Sequence, residues 1–207
     1  IYGSLSINEI IDRISTDLGL VADFSVPVPL EARSRPDAED LVVLIASADG
    51  QAKRWPVDRW VELAARLGGH GMSAAVITDG RGRNPLVERG VAEIAAPTPG
   101  DAVDVLSACR AAVGIDTGLT HIAAQQRTAT VTLCRTPAIY FRDWPHTELV
   151  AGSVCDPTCQ REENAYAYNH QVNLSLVRPE PRTCPVGARC LDSIGPSAVL
   201  EVLETLW

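Results

Sequence analysis

Apolar residues recur along this chain in two rhythms, short unbroken runs and longer stretches at helical spacing. Leu41-Val42-Val43-Leu44-Ile45-Ala46 is a continuous run rich in β-branched residues, as expected of a parallel strand covered on both faces. Pro56 then opens a segment whose apolar positions Val57, Trp60, Val61, Ala64 and Leu67 share one side of a helix, and Gly68-Gly69 ends it. The alternation continues with a strand at 74–77, a short helix around 86–89, a strand at 91–94 and a helix over 101–109. A strand at 111–115, a helix beginning near Gly118 and a strand at 129–133 complete it. This order predicts an α/β fold, a Rossmann-like doubly wound parallel sheet. Ligands of such sheets bind beyond the carboxyl ends of the strands, where loops pass into helix starts.

The flanks read differently. Ser6-Ile7-Asn8-Glu9 has the form of a capping box, and the apolar spacing behind it predicts a helix to Gly19. Residues 21–39 are proline-rich and charged without periodicity, which reads as a linker or crossover. After Tyr140 the pattern weakens, and residues 150–192 form an irregular, cysteine-containing segment. Gly195-Pro196-Ser197 opens a last helix with Val199, Leu200, Val202, Leu203 and Leu206 on its apolar side. A new unit is therefore expected to begin after residue 39.

The length of 207 residues, with 46% hydrophobic and 21% charged residues, suits one principal folded domain. A formal net charge of −8 excludes a non-specific nucleic-acid binder, which needs lysine and arginine to displace counterions. Any phosphate must meet a local site. The longest apolar run, 41–46, falls far short of the roughly 20 residues that cross a bilayer. The chain opens at Ile1 without a signal-peptide pattern and reads as a piece of a longer protein.

Chemistry concentrates where Ile115 passes through Asp116-Thr117-Gly118 into the helix that carries His121. Gly118 permits close backbone approach, free amides at the helix start favour anionic oxygens, and Thr117 adds a hydroxyl donor. Asp116 would repel a phosphate, so it either caps the helix or receives a sugar or ribose hydroxyl. The plainer alternative is a capped helix start with a partly buried histidine.

The stretch Val113-Gly114-Ile115-Asp116-Thr117-Gly118-Leu119-Thr120-His121-Ile122-Ala123-Ala124 resembles the heptosyltransferase family of bacterial lipopolysaccharide assembly, whose second domain carries a strand followed by Asp-Thr-Gly-Leu-Ser/Thr-His. Lys53-Arg54-Trp55-Pro56 is similar to the family's Lys-x-Trp-Pro segment after the domain's first strand. The resemblance implies the C-terminal, donor-binding half of a GT-B glycosyltransferase over residues 40–207, with residues 1–39 as the end of the preceding domain and its linker. It implies an inverting enzyme without a catalytic cofactor, with ADP-heptose as the default nucleotide-sugar donor and a glycan or protein hydroxyl as acceptor. Lys53 would stabilise the departing diphosphate, assisted by Arg54, with Ser47, Asp116, Thr117, Gly118 and His121 completing the donor site. The family's general base lies in the other domain and matches no residue here. The family often has an acidic residue for the donor's ribose after the next strand, and none in Thr78-Asp79-Gly80-Arg81-Gly82-Arg83 aligns with it. A bacterial cytoplasmic location at the inner face of the membrane is implied as well.

Cys155-x3-Cys159 and Cys184-x5-Cys190 form two close pairs able to meet around one tetrahedral metal, zinc or iron, in a structural role, with His170 a weaker candidate ligand. Disulfides, disfavoured in a reducing compartment, and free thiols are the alternatives. Relatives that modify autotransporters carry an iron-bound cysteine finger and assemble into rings, which favours iron and a homo-oligomer. The competing functional reading is a non-catalytic, metal-stapled interaction module built on the same sheet.

Overall fold

The computed structural model describes residues 14–19, 26–47, 54–134, 144–152 and 190–206. The expected capping box at Ser6 and the stretch 153–189 lie outside these; residues 14–17 form a helical turn.

Six strands build one sheet: β1 (Leu41–Ile45), β2 (Ser73–Thr78), β3 (Ala92–Ala95), β4 (Ala111–Ile115), β5 (Ala129–Cys134) and β6 (Thr147–Ala151). Their spatial order is β3-β2-β1-β4-β5-β6, and every pairing is parallel. The helices are α1 (Val57–Gly69), α2 (Pro85–Glu88), α3 (Pro99–Ala108), α4 (Gly118–Gln125) and α5 (Pro196–Glu204), with a 3₁₀ turn at Cys190–Ser193.

The unbroken apolar run of β1 divides its residues between two cores, because successive side chains point to opposite faces. Val42 and Leu44 pack with Trp60, Leu63 and Leu67 of α1, Leu86 of α2 and Val199, Leu200 and Leu203 of α5. Val43 and Ile45 pack with Ala102, Val105 and Leu106 of α3 and Ala123 of α4. Both faces are thus covered, as a parallel sheet requires.

Local chemistry fixes the helix ends. Pro56 takes the N-cap position of α1, Asp58 lies in its first turn, Arg66 in its last, and an Arg66–Glu62 pair spans one turn at 2.8 Å. In α3, Thr98 and Asp101 form a reciprocal capping box with Pro99 following the cap. The helix therefore starts two residues before the expected Asp101. The sequence pattern missed β6 altogether, and Val150-Ala151 were assigned to the irregular segment. Only Thr147 of that strand is buried; Glu148, Leu149 and Ala151 face solvent, so this edge strand lacks the two-sided apolar run that marks the others.

The linker carries no regular structure over residues 27–35, yet it is tied down. The Gln126 amide receives the Leu30 N–H at 2.6 Å and donates to the Leu30 carbonyl at 3.0 Å, while Gln125 donates to the Val28 carbonyl at 2.6 Å. The Arg33 backbone N–H and its Nε donate to the two oxygens of the buried Asp104 carboxylate, each at 2.7 Å. First the Arg33 backbone N–H and then its guanidinium hold the Asp104 carboxyl below the ordinary aspartate range. This contribution is present above the unfolded aspartate pKa of about 3.9 and is lost as pH falls through the lower folded value. Arg33→Ala removes the guanidinium share alone. It is expected to lower the melting temperature at neutral pH, with the difference from the unsubstituted protein closing only in the acid range below about pH 4, as thermal denaturation at stepped pH would record.

Candidate functional site

The strand order reverses between β1 and β4: from β1 the chain moves outward to β2 and β3, and from β4 it moves the opposite way to β5 and β6. Loops leaving the carboxyl ends of these two neighbours diverge, and a crevice opens between them. Both motif-bearing loops start there. A cleft of about 670 Å³ lies at this end of the sheet, lined by Ile45 and Ser47 after β1, Ile77 to Asp79 after β2, and Thr98 and Ala102 at the start of α3. Thr117, Gly118, Leu119 and Ile122 line its other side. The structure thus brings Ser47, Thr117 and Gly118 to one cavity. Asp116 and His121 sit on the same turn without lining the cleft, and Lys53 lies outside the described residues.

The β4–α4 turn is held from within. Thr120 is fully buried, and its Oγ1 donates to the Ile115 carbonyl, the last of β4, at 2.6 Å. Gly114 makes room for it, since a Cβ at 114 would overlap Thr120 Oγ1 and stand 3.0 Å from Ile45 Cβ. Thr117, rather than Asp116, is the N-cap residue, and its side chain makes no capping bond. The Asp116 carboxylate instead lies 3.2 Å from His121 Nε2, with both side chains partly exposed. Of the two roles open to Asp116, the cap is therefore not the one adopted. Gly118 is exposed, and a Cβ there would meet nothing within 4 Å, so among the described residues no contact requires glycine at this helix start.

The loop after β1 is anchored by Trp55. It is 3% exposed, its Nε1 donates to the Ile194 carbonyl at 3.1 Å, and its ring meets Trp60 edge-on at a 4.8 Å centroid distance. Trp55 therefore pins the chain two residues beyond Lys53 to the segment before α5, while Arg54 is exposed. Past β2, Asp79 lines the cleft although no acidic residue was aligned there from sequence. Its Oδ1 accepts the Arg81 N–H at 3.0 Å, and Thr78 accepts the Gly80 N–H while donating to Glu93 of β3. Asp79, Thr98, Gly114 and Thr120 are the site residues that sequence reasoning missed. The strand-end rule would have flagged Asp79, and T-x-x-D at 98–101 would have flagged Thr98.

Cys109 and Cys134 are buried, and burial pushes the Cys109 thiol up to about 12, so it remains protonated. Cys155, Cys159, Cys184 and His170 lie outside the described residues, and Cys190 opens the 3₁₀ turn. Among the described residues no group of three or more His, Cys, Asp or Glu is arranged to hold a metal ion, and no helix is long and apolar enough to cross a membrane.

Gly114→Ala is expected to destabilise the protein by about 1–3 kcal/mol in urea unfolding, because the new methyl displaces Thr120 or Ile45 in a filled core. Gly118→Ala, facing open space, should leave the unfolding midpoint unchanged.

Residues 17–167 match the profile of glycosyltransferase family 9 (heptosyltransferase). Solved structures share the fold at low identity. A family 9 glycosyltransferase from Veillonella parvula superimposes with a TM-score of 0.69 at 15% identity, over 98% of this chain and 60% of that one. ADP-heptose lipopolysaccharide heptosyltransferase II of Escherichia coli gives 0.55 at 19% identity, over 98% and 52%. The iron-containing dodecameric heptosyltransferase TibC of enterotoxigenic E. coli, solved with ADP-D-β-D-heptose, gives 0.68 at 18% identity, over 99% and 55%. The chain therefore spans little more than half the length of these proteins. No curated protein sequence matches it. The sheet is the Rossmann-like half of a GT-B architecture, and with 17–167 matched the chain belongs to glycosyltransferase family 9, the heptosyltransferase family.

Proposed function

We propose that residues 40–207 are the donor-binding domain of an inverting glycosyltransferase that transfers a sugar, heptose from ADP-heptose by default, to a glycan or protein hydroxyl. Residues 1–39 would be the end of the preceding domain with its linker. The observation that carries this reading is the position of the Asp116–His121 turn, at the reversal of strand order and with the amide-bearing start of α4 opening on the cleft.

In the proposed reaction the acceptor oxygen attacks the anomeric carbon, the bond to the diphosphate breaks with its electron pair, and one further negative charge develops on the terminal phosphate of the departing nucleotide. The α4 amides at Gly118 and Leu119, the Thr117 hydroxyl and the Lys53 ammonium would stabilise that charge, with Ser47 as a further donor and Arg54 in support. The Asp116–His121 pair would receive a sugar or ribose hydroxyl. A carboxylate of the other domain would take the acceptor's proton. The ADP-D-β-D-heptose bound to TibC and the likeness to ADP-heptose lipopolysaccharide heptosyltransferase II of E. coli support this choice of donor.

Calorimetry with ADP, UDP and GDP tests it: ADP is expected to bind tightest, and Lys53→Ala or Asp116→Ala to weaken it about tenfold, the scale of losing one charge-assisted contact. Absence of binding by all three in a folded sample would support the non-catalytic interaction module instead. We further assign Cys155, Cys159, Cys184 and Cys190 to a structural iron or zinc site, on their spacing and on the iron of TibC, whose dodecamer also makes a homo-oligomer the expected state. Elemental analysis of purified protein should find about one metal ion per chain, the stoichiometry of a four-thiolate site; a value near zero refutes it.

A further inference from the structure

We propose that Thr120 is a positioning residue of the donor site, holding the first turn of α4 at the angle that aims its amides and the Thr117 hydroxyl into the cleft. This rests on the donor-site reading above. Thr120 is bound across the turn twice: its N–H donates to the Thr117 carbonyl at 3.1 Å and its hydroxyl to the Ile115 carbonyl at 2.6 Å. The second bond closes a loop that contains Asp116, Thr117, Gly118 and Leu119, the residues assigned to the diphosphate and its sugar. No member of that loop can shift without stretching it.

The site is built around this hydroxyl. Thr120 has no exposed surface, and the floor beneath it is Gly114, where a Cβ would occupy its space. Because the Thr120 proton is committed to Ile115, its lone pairs face Thr117 Oγ1, 3.4 Å away, at the outer limit of hydrogen bonding. The Thr117 proton is therefore weakly held at home and ready for a phosphate oxygen. A valine at 120 keeps the shape, leaves the Ile115 carbonyl without its partner and frees the turn to rotate.

A purely structural threonine would affect all ligands of the site equally, whereas a positioning residue acts on the diphosphate alone. The test is calorimetry of ADP and of adenosine, which lacks both phosphates, on the full chain with Thr120→Val and Thr120→Ser, folding being checked by thermal melting. Thr120→Val is expected to weaken ADP about tenfold, in line with one lost hydrogen-bonded contact, and to leave adenosine within about twofold. Thr120→Ser, which keeps the hydroxyl, should restore ADP binding. Equal losses for ADP and adenosine, an unchanged ADP affinity in Thr120→Val, or a folded serine variant that has lost ADP binding each overturn the proposal. Failure of the unsubstituted protein to bind ADP overturns the donor-site reading itself.

Discussion

A parallel sheet buried on both faces cannot be connected by hairpins, so each strand of this chain returns through a helix, and somewhere the winding must change direction. Here it changes between β1 and β4. Everything else about the site follows from that reversal. From β1 and β4 the chain leaves in opposite directions, and α4 begins at the edge of the cleft between them, where the first amides of a helix have no partner within it. The cost is a sharp exit from β4, and Gly114 and Thr120 absorb it, the glycine by giving up volume and the threonine by bonding the last strand carbonyl.

The cleft divides into two chemical regions. Near the reversal, Ser47 and the uncapped start of α4 offer donors to oxygen-rich groups. Farther out, the polar side chains serve their own turns: Asn84 accepts from the Leu86 N–H, Thr98 and Asp101 cap each other, and Asp79 bonds Arg81. Apolar lining runs through both regions, from Ile45 and Ile122 beside the reversal to Ile77, Ala96, Pro97 and Ala102 beyond it.

The strands with two buried faces were legible in sequence because burial on both sides writes an unbroken apolar run, as in β1 and β4. β6 was not, since an edge strand with Glu148, Leu149 and Ala151 exposed writes no pattern. The Asp116–His121 turn was legible as chemistry, but its internal support was not: nothing in Gly114 or Thr120 announces that one fills the other's space. Trp55 was read as part of a motif, and only its bond to Ile194, 139 residues away in sequence, shows it to be an anchor. Long-range pairings of this kind leave no local signal. The linker was likewise read as irregular, and the glutamines and Asp104 that hold it lie some 70 to 100 residues downstream.

The central claim is that the start of α4 receives the diphosphate of an ADP-linked donor. Amide NMR of the chain during ADP titration tests it most directly. The account predicts the largest shifts at Thr117, Gly118 and Leu119, with smaller ones at Ser47 and Thr78–Asp79 and none on α5 at the opposite face. Shifts that map to another surface while 117–119 stay unmoved would contradict it.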